Sequence, residues 1–329
     1  MTNRHYLLIA VALGALTASA ADAQSSNRTR TRTTTSTSSS RYSSSDDEDE
    51  GTAMDTTVKF DRRGTVSLSI PRGDVIVRAW DRDEVRVHAR SEQGALRVDV
   101  SSTRLTVDGN GSRSHGETTV EVTVPTGVAL IVRTQSGDVT IRDTRGAVEA
   151  HAQNGDVEVH GVRGRLDVST FSGDVHVDDV EGDIELSALS GDAHIGSAKG
   201  DIDAKTVSGD IIMDDITAKN VHAQTTSGDV TYDGTIDAQG RYELVSHSGG
   251  VSFSVPKGAG AQISVSTWSG DIESDFPITL KPGEHGFGGN SGRKITFELG
   301  NGSARIIAES FSGDITIRDR GNSRGRNDR

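Results

Sequence analysis

The chain of 329 residues has no cysteine, and only 4% of its residues are aromatic. Without cysteine it can form no disulfide, no thiolate metal site and no cysteine nucleophile. The scarcity of aromatics disfavours an ordinary globular core and favours a thin, regular body packed from small β-branched residues. A basic excess is also missing, since the net charge is −13. Nucleic acid is therefore disfavoured as a partner, because phosphate binding needs a basic face.

The first 23 residues predict a secretory signal peptide. Arg4 gives a positive start, residues 6–16 are apolar, and residues 21–23 (ADA) fit a cleavage site, with residues 18–20 as a competing one. The apolar run is too short to span a bilayer comfortably, and no later stretch is long or apolar enough to do so. We therefore expect an exported bacterial protein of the periplasm or cell surface, with no transmembrane segment after cleavage.

Low-complexity segments flank the central part of the chain. Residues 24–57 are rich in Ser, Thr and Arg and then acidic, and residues 319–329 form a basic tail. Both predict disorder, because they cannot bury enough apolar surface to offset the ordering entropy. Between them, apolar and polar residues alternate as in β-strands. We expect an N-terminal β region at 58–135 and a repeat region at 136–318, with an insertion at about 277–293.

The spacing of the 38 glycines predicts the fold. From Gly137 to Gly209 a glycine recurs every nine residues, and alternate glycines lie in Ser-Gly-Asp or Asn-Gly-Asp turns, so the repeat is eighteen residues long. A single repeat has too few inward residues for a core, but coils stacked about 4.8 Å apart share one. The prediction is an all-β, elongated parallel β-solenoid with glycine at its corners. The predicted turn glycines are Gly137, Gly155, Gly173, Gly191, Gly209, Gly228, Gly270 and Gly313.

These motifs resemble a bacterial "putative adhesin" family of unknown function, whose members carry Ser-Gly-Asp β-strand repeats. The resemblance covers about residues 57–318 and includes the segment 73–85 around Trp80, together with two Val-Pro-x-Gly steps at 124–127 and 255–258. It implies a β-repeat fold and brings no catalytic residues. The chain departs from the pattern at Gly250, where the turn aspartate is missing, and in its long N-terminal linker.

The repeat places equivalent side chains in ladders, three of which offer metal chemistry. The turn aspartates either hydrogen-bond the turn backbone or bind Ca²⁺, which prefers carboxylate oxygens. A second, outward ladder of acids either binds cations or keeps the face soluble. His176 and His194, with Glu158 one coil before, are either Zn²⁺ ligands or surface histidines. The candidate cation ligands are Asp174, Asp192 and Asp210 in the turns and Glu149, Asp167, Glu185 and Asp203 on the outward face.

A fourth ladder predicts a contact surface. The residue two before the turn glycine should point outward, and in five coils it is apolar. Exposed apolar strips mark contact sites, so this one would receive a glycan, another solenoid or a partner protein; alternatively, it packs locally over the corner. Its members are Phe171, Leu189, Val207, Trp268 and Phe311. The tripeptide Arg72-Gly73-Asp74 falls where a turn is required and is interpreted as structural.

These features predict a non-enzymatic cell-envelope protein that acts as a scaffold, adhesin or binding platform, without a cofactor unless Ca²⁺ is bound. The repeats are nearly equivalent, so no single acid or histidine stands apart as a catalyst would. One alternative is a carbohydrate-active β-helix enzyme, for which Lys281, Glu284 and His285 of the insertion are the residues to consider. Another is a Ca²⁺-binding or envelope-stress sensor. The expected partner is an envelope glycan or protein, and self-association is a further possibility.

Overall fold

The structure is a computed structural model that describes residues 52–91, 96–109, 118–277 and 293–323. The expected signal peptide at 1–23 and nearly all of the expected linker at 24–57 lie outside these residues. So do the interior of the insertion, with Lys281, Glu284 and His285, and the last six residues of the tail. The expectations for these segments remain predictions.

The described chain forms two sheets of thirteen strands each, and most neighbouring strands are parallel. Each coil gives one strand to each sheet, with a turn glycine between them that in most coils belongs to a Ser-Gly-Asp corner. The predicted parallel β-solenoid is therefore confirmed. The strands are β1 (Thr52–Lys59), β2 (Thr65–Arg72), β3 (Val75–Trp80), β4 (Glu84–Ser91), β5 (Leu96–Val100), β6 (Arg104–Gly109), β7 (Thr118–Pro125), β8 (Ala129–Ser136), β9 (Val139–Arg142), β10 (Val148–Asn154), β11 (Val157–Arg163), β12 (Leu166–Ser172), β13 (Val175–Glu181), β14 (Ile184–Ser190), β15 (Ala193–Lys199), β16 (Ile202–Ser208), β17 (Ile211–Ile216), β18 (Asn220–Ser227), β19 (Val230–Gly234), β20 (Arg241–Ser248), β21 (Val251–Val255), β22 (Ala261–Ser269), β23 (Ile272–Ser274), β24 (Arg293–Leu299), β25 (Ala304–Ser312) and β26 (Ile315–Asp319).

The core lies between the two sheets and is built from in-register columns of β-branched and Leu side chains. Leu166 pairs with Ile184 and Ile184 with Ile202, and all three are buried. Because strand side chains alternate between faces, every second residue of a coil enters this column. Burying one such side chain is worth about 1.5–3 kcal/mol, so the stacked coils supply the core that one coil lacks.

The N-terminal end differs in detail from the expected boundaries. β1 begins at Thr52, six residues before the expected start of the β region at 58, because Thr52–Lys59 pairs antiparallel with β4. β2 and β3 form a complete coil that stacks in parallel on β8 and β9. The two solenoid sheets therefore run across the expected boundary at 136.

The C-terminal end differs in the order of its coils. β25 lies between β20 and β22 and pairs in parallel with both. The coil of Ser312 is thus inserted between those of Ser248 and Ser269, although it comes last in the chain. β24 runs back antiparallel along β22, which returns the chain to the start of β25. The irregular step of 43 residues between the turns at 269 and 312 is the trace of this insertion in the sequence.

A short helix, α1 (Arg320–Ser323), follows β26. Its first residue, Arg320, lies 2.8 Å from an oxygen of Asp233 and 3.3 Å from one of Asp215. The beginning of the expected disordered tail is therefore paired with the body of the solenoid. Within the described ranges, no helix is long and apolar enough to cross a membrane.

Two buried tyrosines fill the lengthened coils that follow Gly209. The Tyr232 hydroxyl donates to the Thr235 carbonyl at 2.8 Å, and the Tyr242 hydroxyl donates to the Ala218 carbonyl at 2.8 Å. Their ring centroids are 5.5 Å apart. Burial raises the pKa of both phenols, because the charged phenolate is poorly solvated in the core.

The raised pKa of these two tyrosines predicts that the folded protein loses stability at alkaline pH. In the unfolded chain they lose their protons near the ordinary pKa of about 10, whereas the folded protein keeps them protonated. The unfolded state then binds fewer protons than the folded one, so stability is fully present below about pH 10 and falls by roughly 1.4 kcal/mol per pH unit for each tyrosine above it. Urea unfolding between pH 8 and 11 measures this. Tyr232→Phe should reduce the slope, and an unchanged slope would contradict the assignment.

Candidate functional site

At the glycine corners, the backbones of successive coils approach so closely that there is no room for a Cβ atom. At Gly191 φ is +124°, and a Cβ atom there would lie 2.2 Å from the carbonyl oxygen of Gly173. The same close approach links Gly173 to Gly155 and Gly209 to Gly191. An L side chain meets both a strained φ and a backbone atom. The glycine column therefore allows the coils to stack.

The turn aspartates form a hydrogen-bonded ladder along this corner. Oδ1 of each aspartate accepts a bond from the turn N–H of the next coil. The distance is 2.9 Å from the Asp192 nitrogen to Asp174 and 2.8 Å from the Asp210 nitrogen to Asp192. Asp74 takes part in the same way by accepting from the Asp138 N–H, which gives Arg72-Gly73-Asp74 a place in the corner. Gly250 interrupts the ladder, because it has no carboxylate to offer the next turn.

Three acids of the outward ladder form ion pairs. Glu149 pairs with Arg133 at 2.6 Å, Glu185 with Arg165 at 2.6 Å and Asp203 with Lys205 at 2.8 Å. Asp167 lies between Glu149 and Glu185 in register. These partners offset the repulsion between stacked carboxylates and occupy oxygens that a cation would need.

The histidine pair lies on the other sheet. The rings of His176 and His194 are 4.8 Å apart and edge to face, while Glu158 bonds Arg142 at 2.9 Å and His194 lies 3.2 Å from Asp214. Across the described residues, no three or more His, Asp or Glu side chains are grouped so as to hold a metal ion. The Ca²⁺ and Zn²⁺ interpretations therefore rest on the sequence pattern alone.

Substitution of a turn aspartate distinguishes a structural role for the ladder from Ca²⁺ binding. Asp192→Asn keeps an acceptor oxygen for the Asp210 N–H and removes repulsion from two neighbouring carboxylates, so we expect equal or higher stability. Asp192→Ala loses the bond and should cost about 1 kcal/mol. Thermal melts with and without Ca²⁺ measure both. A Ca²⁺-dependent gain in melting temperature that disappears in Asp174→Asn/Asp192→Asn would contradict the structural assignment.

The fourth ladder is exposed as a column on one face, which we call the apolar column. Its members follow a buried residue and precede the turn serine, so their side chains point outward. They are the large hydrophobic side chains that stand out as exposed among the described residues: Phe171 (60%), Leu189 (37%), Val207 (40%), Trp268 (55%) and Phe311 (49%).

The apolar column has two parts, separated by β18, where the residue at the equivalent position is Thr226. Because β25 lies between β20 and β22, Phe311 is flanked by His247 on one side and Trp268 on the other. The Phe311 ring is stacked on His247 at 4.8 Å and on Trp268 at 6.0 Å, with interplanar angles of 10° and 6°. We call these three residues the ring platform. Phe171, Leu189 and Val207 form a separate aliphatic and aromatic stretch in three consecutive coils.

Buried hydroxyls fix the backbone that presents the platform. The residue just before each ring points inward and donates to a turn glycine carbonyl of the neighbouring coil. Ser310 Oγ bonds the Gly249 carbonyl at 2.9 Å, and Thr267 Oγ1 bonds the Gly313 carbonyl at 2.9 Å. Ser246 bonds Gly228 in the same way at 2.8 Å. Sequence reasoning missed these supports and also His247, because a histidine does not extend an apolar pattern.

Comparison with known proteins identifies the family. The model of the Toastrack DUF4097 family matches residues 65–234 and 208–318. A solved structure described as a "putative adhesin" from Bacteroides fragilis is similar over 81% of this chain and 97% of its own, with 15% identity and a TM-score of 0.40. A "putative cell adhesion protein" from Clostridium sporogenes is similar over 82% and 100%, with 11% identity and a TM-score of 0.25. No curated protein matches. The family match spans most of the solenoid, and the chain belongs to the Toastrack DUF4097 family.

Proposed function

We propose that the chain is an exported, non-enzymatic scaffold of the bacterial cell envelope that binds its partner through the apolar column. The observation that carries the proposal is the exposure of five large hydrophobic side chains in one column. Exposed apolar strips of this kind are typical of contact sites. The signal-like N-terminus supports export, and the flanking low-complexity segments suit a tethered binding module.

The charges of the solenoid support a binding role over a catalytic one. Among the described carboxyl groups, the pKa is lowered at Asp55 and Glu181, in each case chiefly because an arginine donates a hydrogen bond. Both belong to exposed ion pairs, whereas catalytic acids and bases typically have perturbed pKa values within a cleft. The carbohydrate-active enzyme remains the competing class, with its candidate residues outside the described ranges.

Binding of the labelled mature protein to bacterial envelope preparations tests the proposal. A variant that replaces all five residues of the apolar column by Thr keeps strand propensity and should bind at least about tenfold more weakly, a loss of roughly 1.4 kcal/mol. The control variant, His176→Thr/His194→Thr, changes exposed rings on the other sheet and should bind like the wild type. Equal binding by the column variant would remove the column from the proposal. Sustained polysaccharide turnover by the wild type would contradict a non-enzymatic role.

A further inference from the structure

We infer that the solenoid assembles head to tail with further copies of this chain, because its two ends are steps of complementary shape. Each sheet has thirteen strands, but the sheets are offset by one strand. Before the coil of β2 and β3, one sheet continues through β7, β4 and β1, and the other only through β6 and β5. After the coil of β22 and β23, the sheet of β22 gains β24, and the sheet of β23 ends. A second copy displaced by thirteen strands therefore continues both sheets at once.

The directions of the four edge strands fit the same arrangement. Within the described residues, β1, β5, β23 and β24 each have a neighbouring strand on one side only. β23 is parallel to β26, and β1, after two antiparallel steps, returns to the direction of β3. β24 and β5 both run against the other strands of their sheet. In a head-to-tail contact, β23 therefore lies parallel to β1 of the next copy and β24 parallel to β5, and each pair satisfies backbone groups that an edge strand leaves unpaired.

The inner faces of the edge strands leave the core partly uncovered at both ends. Most of the hydrophobic side chains that pack against the core without being fully buried lie on these four strands. They are Met54 and Val58 of β1, Leu96, Val98 and Val100 of β5, Ile272 of β23, and Ile295 and Leu299 of β24. Stacking one end on the other extends the core column across the contact and buries both apolar faces, which stabilises by about 25 cal/mol per Å² of apolar surface.

Symmetric pairing of two identical ends would leave an opening in one sheet. Two copies joined through β24 would face each other across a gap of two strands in the sheet of β23, and two copies joined through β1 would leave the same gap in the sheet of β5. The head-to-tail contact leaves no gap. Because it joins two different surfaces along the solenoid axis, it does not close on itself and continues as a filament. The axial repeat is about 60 Å, the length of thirteen strand spacings.

Blocking each end separately in the full chain without its predicted signal peptide tests this arrangement. Val98→Lys puts a charge on the inner face of β5, and Ile295→Lys puts one on the inner face of β24, and inward-pointing charges prevent edge pairing. We expect the wild type to form species larger than dimers in sedimentation at rising concentration, and filaments with the repeat of about 60 Å in electron micrographs. Each variant alone should stay monomeric. Their equimolar mixture should form one-to-one dimers, because one free end of each kind remains.

Thr231→Lys is the matched control, because Thr231 lies on the outer face of β19 in the middle of its sheet, and this variant should assemble like the wild type. Urea midpoints report whether each variant folds, and Val100→Lys and Leu299→Lys block the same two ends if a first choice does not.

A wild type that stays monomeric at every concentration, its ends covered by other parts of the chain, would overturn the inference. So would a blocked variant that dimerises alone, because that result indicates symmetric pairing of the unblocked end. The variant that replaces the apolar column by Thr should still form filaments, so failure of assembly and failure of the proposed envelope binding are distinguishable.

Discussion

Gly191→Ala is expected to destabilise the solenoid by more than about 4 kcal/mol, an effect outside the ordinary range for a single substitution. The added Cβ would lie 2.2 Å from the Gly173 carbonyl oxygen, at a φ of +124°. The backbone has little freedom to move away, because the Gly191 N–H donates to the Ser208 carbonyl and the Asp192 N–H to the Asp174 carboxylate. We expect a large fall in the urea midpoint by circular dichroism, or failure to fold.

Gly258→Ala is the control that tests the effect of backbone strain without a close approach to a neighbouring coil. Gly258 also has a positive φ, +86°, but a Cβ atom there would have no neighbour within 4 Å. Its substitution should cost only the conformational strain of an L residue, about 1–2 kcal/mol. If Gly191→Ala and Gly258→Ala lowered stability equally, the stacking of glycine against the neighbouring coil would not be the reason for the Ser-Gly-Asp repeat.

Glu309→Pro is expected to cost about 3 kcal/mol or more. Glu309 is exposed, so its side chain contributes little, but its backbone lies in β25 between β20 and β22. Every interior N–H of a strand with two neighbours donates to one of them, and proline removes that donor and disrupts the ladder. The change should also separate Phe311 from Trp268, so Trp fluorescence should report it together with the urea midpoint.

Glu309→Ala provides the comparison at the same site, because it removes the side chain and keeps the N–H. We expect it to stay within about 0.5 kcal/mol of the wild type. If β25 were instead an outer strand, as the order of the chain suggests, proline would be tolerated much better. A fall in the free energy of unfolding of less than about 1 kcal/mol for Glu309→Pro would therefore contradict the position of β25 between β20 and β22.

The nine-residue spacing of the glycines was enough to predict the stacked coils, because stacking brings equally spaced glycines and alternating Val and Ile into register. The outward position of Phe171 or Trp268 also followed from the alternation within each strand. The order of the last coils could not be predicted in this way. The turns at Ser269 and Ser312 carry the same motif, and the sequence around each turn does not indicate which coil that turn stacks on.

The ring platform depends on that order. Phe311 and Trp268 are 43 residues apart and would be treated as separate members of one ladder, while His247 belongs to a coil with no apolar residue at this position. The left-handed backbone at Asp143, Asp179 and Asp215, with φ between +52° and +62°, was also missed. These aspartates are 36 residues apart, and Gly161 and Ser197, halfway between them, also have a positive φ. The resulting eighteen-residue spacing and the aspartates, which tolerate this conformation better than most residues, were the available signal.

Disulfide trapping tests the inserted coil most directly, since the chain has no native cysteine. Val245 and Glu309 are paired on adjacent parallel strands, about 4.8 Å apart, which a disulfide can bridge. Val245 and Ser266 are separated by β25 and lie about 10 Å apart, beyond disulfide reach. We expect rapid oxidation of Val245→Cys/Glu309→Cys and none of Val245→Cys/Ser266→Cys. The reverse outcome would place Trp268 beside His247, remove Phe311 from between them and contradict the ring platform.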